Sequence, residues 1–411
     1  MILPEDFPYI TSICVNDCYT YQNFNIDLIK HQPFSHLILT GKNGSGKSTI
    51  LKNLNFHILS AIESYDLKDR NYVLKNLLAG NTTKPNYGSL KDKESWKNEL
   101  FENERINPSY LNSIFPFLNS LKNKFIYSYV IANRNSKVNE VKSPTKQEEF
   151  NIQLEQSKTS SDFFTKNFKQ FLVNKKVNQV FSQLDNNKKE VEEAETFFLK
   201  IEEVFSQIFN DKTLKLVFVK DSYEFLIKLS DGRKLTFNIL PDGFSAFLSI
   251  LMDLFVRLDL IRKIVGNNNY NPCGIVLIDE PETHLHISLQ YHILPILTTL
   301  FPNVQFIVAT HSPAIISSIK NSTIFDLTTK ETLSSDDAIG KSFSELMISH
   351  FGLDNEFSDF TDDLFEKVNT VLKDNKNNIP LRNQQLKAIL KENERYISPT
   401  MRFELEAKIS E

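Results

Sequence analysis

The residues Gly41-Lys-Asn-Gly-Ser-Gly-Lys-Ser-Thr49 place glycines, a lysine and two hydroxyls in the order GxxxxGK[ST]. Glycines let a backbone wrap around an anion with successive N–H groups turned inward, and a helix starting near the lysine adds its positive end. This suits the holding of a polyphosphate. Lys47 reaches the β- and γ-phosphates, Ser48 ligates Mg2+, and Asn43, Gly44, Ser45, Gly46 and Thr49 complete the cradle. Far along the chain, Ile275-Val-Leu-Ile-Asp-Glu280 delivers two adjacent carboxylates at the end of an apolar run. Asp279 is placed to hold the metal, and Glu280 to polarise an attacking water. A third group, His311, follows the run VQFIVAT and can bond the terminal phosphate or that water. The loop is a strong signal in its place between strand and helix, whereas the other two are weak singly, because strands often finish in acids and a histidine at a strand end more often caps. Together they predict an ATP site with Mg2+.

Buried strands must bring these groups to one place. Residues 9 to 40 alternate as strands, HLILT leads into the glycine-rich loop, and ILKNLNFHILSAI then has helical spacing. From 63 to 125 the chain is polar and expected to be helical or irregular, while KFIYSYVIANR is expected to hold a buried strand. Apolar residues from Phe164 to Ile208 recur every three or four positions, predicting two amphipathic helices packed on each other. Residues 213 to 239 alternate as strands, with a hairpin turn at Asp231-Gly232. A long helix from Gly243 follows, then GIVLI, a helix over His286 to Leu300, VQFIVAT and a further helix. That order is α/β with a mostly parallel sheet, in which ligands gather beyond the carboxyl ends of the strands. The expected division is 1–62 and 213–335 as the two parts of one head, 63–212 as a mostly helical insertion with one core strand near 124–134, and 336–411 as a helical tail suited to binding a partner.

The 411 residues are 41% hydrophobic and 24% charged with a net charge of −4, the balance of a globular chain rather than of a dedicated nucleic-acid binder. The longest apolar stretch, Phe244 to Ile261, is broken by Asp253, Arg257 and Asp259, which argues against a membrane span. The N-terminus carries acids where a secretory signal carries bases, so a cytoplasmic location is expected. Cys14, Cys18 and Cys273 are an odd number in a long chain, arguing against a disulfide framework, and Cys14 and Cys18 lack a second ligand pair for zinc.

The glycine-rich loop, the Asp279-Glu280 strand and His311 together resemble the ABC-type ATPases of the branch containing RecF, SMC-like and OLD-family proteins. DEPETHLHISLQ, followed by QFIVATHSPAII, looks especially like the stand-alone ATPases of bacterial anti-phage systems, of Septu, retron-associated and PARIS type. The likeness covers residues 10 to 60 and 213 to 325. It implies an ABC-type P-loop ATPase head with a mixed sheet, a helical insertion and a helical C-terminal tail. It also implies nucleotide sandwiched between two heads of a homodimer or higher homo-oligomer, each lending a signature segment to the other's γ-phosphate. The matching segment is LPDGFS, residues 240 to 245, in which Gly243 offers backbone N–H groups and Pro241 stands where the family usually has serine. The alternative is that Asp242 simply caps the helix. Glu282 to His286 takes the place of the family's dimer-contacting loop; metal binding by Glu282, His284 and His286 is the rarer use of such spacing. Asn133 and Arg134 end the strand where a glutamine loop is expected, and no glutamine stands there.

Functions of different classes remain open. One is a slow ATPase acting as sensor or regulator in an anti-phage complex with a separately encoded effector nuclease. It fits a chain with no evident nuclease constellation, the tail acids Asp354, Glu356, Asp359, Asp362 and Asp363 being expected on a solvated helix. Another is a RecF-like repair ATPase that grips duplex DNA through Lys175, Lys176, Lys188 and Lys189, although Glu190, Glu192 and Glu193 lie beside them and a solvated face is the expected role of those lysines. A third, the nucleotide-binding subunit of a membrane transporter, is disfavoured by the insertion and the altered signature.

Overall fold

Strands buried on both faces read as near-continuous apolar runs, and such runs build the central sheet. The computed structural model describes residues 1–62, 67–79, 90–114, 124–133, 137–145, 161–240, 242–342, 345–348, 359–376, 378–399, 401–403 and 406. Its strands are β1 (Ile10–Asp17), β2 (Gln22–Asp27), β3 (His36–Thr40), β4 (Ile106–Tyr110), β5 (Ile126–Val130), β6 (Lys215–Val219), β7 (Glu224–Lys228), β8 (Lys234–Leu235), β9 (Gly274–Asp279), β10 (Val304–Ala309), β11 (Ser322–Asp326) and β12 (Glu331–Ser334). The helices are α1 (Lys47–Ile62), α2 (Leu67–Leu78), α3 (Leu90–Glu104), α4 (Ser161–Leu184), α5 (Lys188–Phe209), α6 (Asp242–Val265), α7 (Ile287–Leu300), α8 (Pro313–Ile316), α9 (Ser335–Ile339), α10 (Asp359–Asp374) and α11 (Ile379–Glu392).

Six strands form the central sheet in the order β12-β11-β3-β10-β9-β5. Neighbours are parallel except β12, which turns back antiparallel on β11. Alternation along β9 sends Ile275 and Leu277 to one face and Val276 and Ile278 to the other. The first face packs on α1 through Ile50, Leu51, Leu54 and Ile58, and on the small antiparallel sheet β2-β1-β4. The second face packs on α6 and α7 and, through the same apolar cluster, on the hairpin of α4 and α5. A buried ion pair fastens this side: Arg257 Nε lies 3.0 Å from both carboxylate oxygens of Asp253, and Ser128 Oγ on β5 donates to Asp253 Oδ2 at 2.6 Å.

Three elements differ from the sequence expectation. Residues 63–125 include a strand, β4, paired antiparallel to β1 with Pro108 opposite Ile13. Proline hides such a strand from pattern reading, yet it suits an edge position, where its missing N–H costs nothing. The hairpin of β11 and β12 is the second, and it extends the sheet beyond β3. Third, Lys175 does not face solvent: its ammonium bonds Asp259 and lies over the Phe197 and Phe171 rings at 4.5 and 5.5 Å. Burial lowers its pKa. Of the four lysines, Lys188 and Lys189 at the hairpin turn are exposed, and Lys176 is half-buried over the Phe198 ring.

The chain divides into two compact units, Met1–Phe351 and Gly352–Glu411. Helix α9, where the tail was expected to begin, belongs to the first, Ser335 Oγ accepting from the Ser322 N–H of β11. In the second, Leu364, Val368, Leu386 and Met401 form their own small core. Asp354 and Glu356 of the tail acids lie outside the described residues. Among the described residues, no helix is long and apolar enough to cross a membrane.

Candidate nucleotide-binding site

The loop between β3 and α1 is built by contacts from both ends of the first unit. Gly46 has φ +97°, and a Cβ there would lie 2.6 Å from the Cys18 carbonyl oxygen and 2.9 Å from its sulfur. Only glycine fits such an approach at such an angle. From the same β1–β2 turn, Thr20 Oγ1 donates to the Gly44 carbonyl at 2.6 Å. The β11–β12 turn supports the other side: the Lys42 N–H donates to Thr328 Oγ1 at 2.9 Å, and Leu327 N–H to the Thr40 carbonyl at 3.0 Å. Neither support was legible from the GxxxxGK[ST] pattern, because both are distant in sequence and carry no motif of their own.

Lys47 is buried and turns back over the loop, its Nζ donating to the Gly41 and Lys42 carbonyls at 2.9 and 3.2 Å. Burial pulls its pKa down to about 8, against the opposing pull of Glu280, Asp279, Glu282 and Asp326. Ser48 Oγ donates to Asp279 Oδ1 at 3.1 Å, so the start of α1 and the end of β9 meet directly. Burial raises the Asp279 pKa, the Ser48 hydrogen bond works against that, and Glu280 adds to it. Glu280 follows with φ +46° and its N–H on the Ala309 carbonyl at 2.8 Å.

His311 stands one strand over, beyond the end of β10. Burial and then Lys47 push its pKa down, while Glu280 opposes, which favours the neutral imidazole. Its backbone is gripped by Glu282, a residue expected in a dimer-contacting loop or, more rarely, as a metal ligand: Glu282 Oε1 accepts from His311 N–H at 2.6 Å and from Thr310 Oγ1 at 2.8 Å. His286 Nδ1 accepts from Ser288 N–H and caps α7. Gly243, in the first turn of α6, abuts the backbone of His284 and Leu285. Asn43 is exposed at the rim, while Pro241 and Arg134 lie outside the described residues; Asn133 is exposed.

The residues present fit Mg-ATP. Successive backbone N–H groups with an ammonium suit phosphate oxygens. A hydroxyl and a carboxylate already within hydrogen-bond reach offer the hard oxygen ligands that Mg2+ takes.

Residues 37–317 match a family described as "AAA domain, putative AbiEii toxin, Type IV TA system". The chain belongs to this family. The matched span takes in the glycine-rich loop, the Asp279-Glu280 strand end and His311, but neither the β1–β2 turn nor the β11–β12 turn that supports the loop. Among similar proteins, the "Retron Ec83 probable ATPase" of Escherichia coli is 42% identical over 89 residues, which are 21% of this chain and 16% of that protein. The "Septu protein PtuA" of Bacillus thuringiensis is 29% identical over 164 residues, 39% of this chain and 38% of that one. The chain thus spans well under half the length of these relatives. A solved Smc head bound to the C-winged helix domain of ScpA aligns with 81% of this chain and 100% of its own, at 16% identity and a TM-score of 0.39. The resemblance to retron-associated and Septu-type ATPases, drawn from residues 279 to 290 and 305 to 316, is borne out by these matches.

Proposed function

We propose that this AAA-domain protein binds and slowly hydrolyses ATP between two copies of itself, and that the switch governs a separate effector nuclease in an anti-phage complex. The observation that carries the ATPase reading is the Ser48–Asp279 hydrogen bond, which joins the two halves of the site. The defence reading rests on the similarity to retron ATPases and to a Septu protein.

In this mechanism Lys47 leaves its carbonyl partners for the β- and γ-phosphate oxygens, and the N–H groups of residues 43 to 49 hold the remainder. Ser48 and Asp279 would hold Mg2+, which when bound neutralises phosphate charge. Glu280 takes the proton of the attacking water on its carboxylate. The neutral His311 ring bonds the terminal phosphate or that water, and so registers whether the triphosphate is intact. Gly243 and the amino end of α6 present N–H groups toward the partner copy's nucleotide.

Two variants test this. Lys47→Ala should lose nucleotide binding, and Glu280→Gln should bind and accumulate as an ATP-dependent dimer, read by calorimetry and by light scattering. Equal affinity in wild type and Lys47→Ala, or normal turnover in Glu280→Gln, would overturn the assignment. For the effector, affinity purification from host cells should recover a nuclease; recovery of a membrane subunit would replace this reading with transport.

A further inference from the structure

His311 is held from both sides. Before it, Glu282 Oε1 takes the Thr310 hydroxyl and the His311 N–H. After it, Ser312 Oγ donates to Gln290 Oε1 at 2.5 Å, and Gln290 Nε2 donates to the Leu285 carbonyl at 2.9 Å. Leu285 N–H donates in turn to the Glu282 carbonyl at 2.8 Å, and Thr283 Oγ1 to the Glu280 carbonyl at 2.8 Å. The turn carrying Glu280 and the strand end carrying His311 are therefore bolted together by side chains, not by strand pairing alone.

We propose that Glu282 is a positioning residue for hydrolysis, its carboxylate fixing the histidine's backbone in register with Glu280. This rests on the role given to His311 above. A reacting geometry must be held to a fraction of an ångström, and supporting hydrogen bonds do that. One acceptor at the end of a two-methylene arm makes both contacts. The other oxygen, Oε2, is buried and accepts no hydrogen bond among the described residues. The requirement is for reach and an acceptor, which glutamine also supplies.

The test uses the full chain with Mg2+ and either ATP or the non-hydrolysable analogue AMP-PNP. Glu282→Ala should bind AMP-PNP within about twofold of wild type while single-turnover hydrolysis falls about tenfold or more, and Glu282→Gln should stay within about threefold. In a Glu282→Ala/His311→Ala double variant the rate should be no lower than in His311→Ala, because both losses act through one ring. Amide exchange at His311 should quicken in Glu282→Ala. A wild-type rate in Glu282→Ala, additive losses in the double variant, or unchanged exchange would each overturn the proposal. If Glu282→Ala does not fold, Glu282→Asp keeps the charge but falls short; slowed hydrolysis supports the proposal and a wild-type rate overturns it. Normal hydrolysis by His311→Ala would instead overturn the histidine's role, leaving the amide exchange to decide whether Glu282 fixes its backbone.

Discussion

Gly243 faces the His284 carbonyl so closely that a Cβ on it would lie 2.3 Å from that oxygen. Both partners are backbone, so no flexible side chain can give way. Gly243→Ala should cost about 1–3 kcal/mol, as overpacking does, read as a lower urea midpoint. An unchanged midpoint would show that the first turn of α6 is free to move from the turn after Glu280.

Gly46→Ala should lose nucleotide while leaving the rest of the head folded. The φ of +97° strains any side chain, and the Cys18 carbonyl stands in the way. Adjusting the loop by even a few tenths of an ångström misdirects several N–H groups at once, so affinity for Mg-ATP should drop about tenfold or more, about 1.4 kcal/mol. Calorimetry on a variant with a wild-type circular dichroism spectrum decides it.

Arg257 and Asp253 should behave as a unit. Arg257→Met leaves a buried carboxylate with Ser128 as its remaining hydrogen-bond partner among the described residues, and should cost about 3–5 kcal/mol. Arg257 also lies over the Phe164 ring at 4.2 Å, so some of that loss is packing. Asp253→Leu/Arg257→Met should recover much of it. A double variant less stable than the single one would mean that the charges contribute more than their burial costs.

Acid should weaken the head through His36. Burial, with a smaller contribution from His31, lowers its pKa to about 4, and its neutral Nδ1 accepts from the Phe306 N–H at 3.1 Å. An unfolded histidine takes up a proton below about 6.5, so the stability this ring contributes is complete above that pH and is lost as pH falls toward 4. The loss is on the order of 3 kcal/mol for a shift of this size. His57 on α1 is lowered to about 4 in the same way. Urea midpoints from pH 7 to 4 should therefore fall less steeply in His36→Leu, and equal slopes would show that His36 is solvated.

The candidate site's groups were legible as a set because each lies on a run with a strong local pattern: HLILT before the loop, IVLIDE, and VQFIVATH. The supports were not. Thr20, Thr328 and Gln290 are ordinary polar residues whose importance comes from partners that only the folded sheet brings near. Glu282 was visible as an acid in the turn, but its grip on His311 depends on β9 and β10 being neighbours, which spacing cannot show. Pro108 masked a strand, and the alternating short hairpin of β11 and β12 offered too few residues for a period to emerge. Lys175 was misplaced toward solvent because charge in an amphipathic helix usually faces water; here two aromatic rings and Asp259 make a buried seat for it.

The central strand β3 pairs through Leu37 with Ile307 on one side and Thr323 on the other, and the loop that follows it leans on Asp326 and Thr328. During synthesis, Gly41 to Thr49 leave the ribosome long before any of these partners exist. The Lys42–Thr328 contact spans 286 positions of sequence, so the loop's outer support is among the last parts of the first unit to be synthesised.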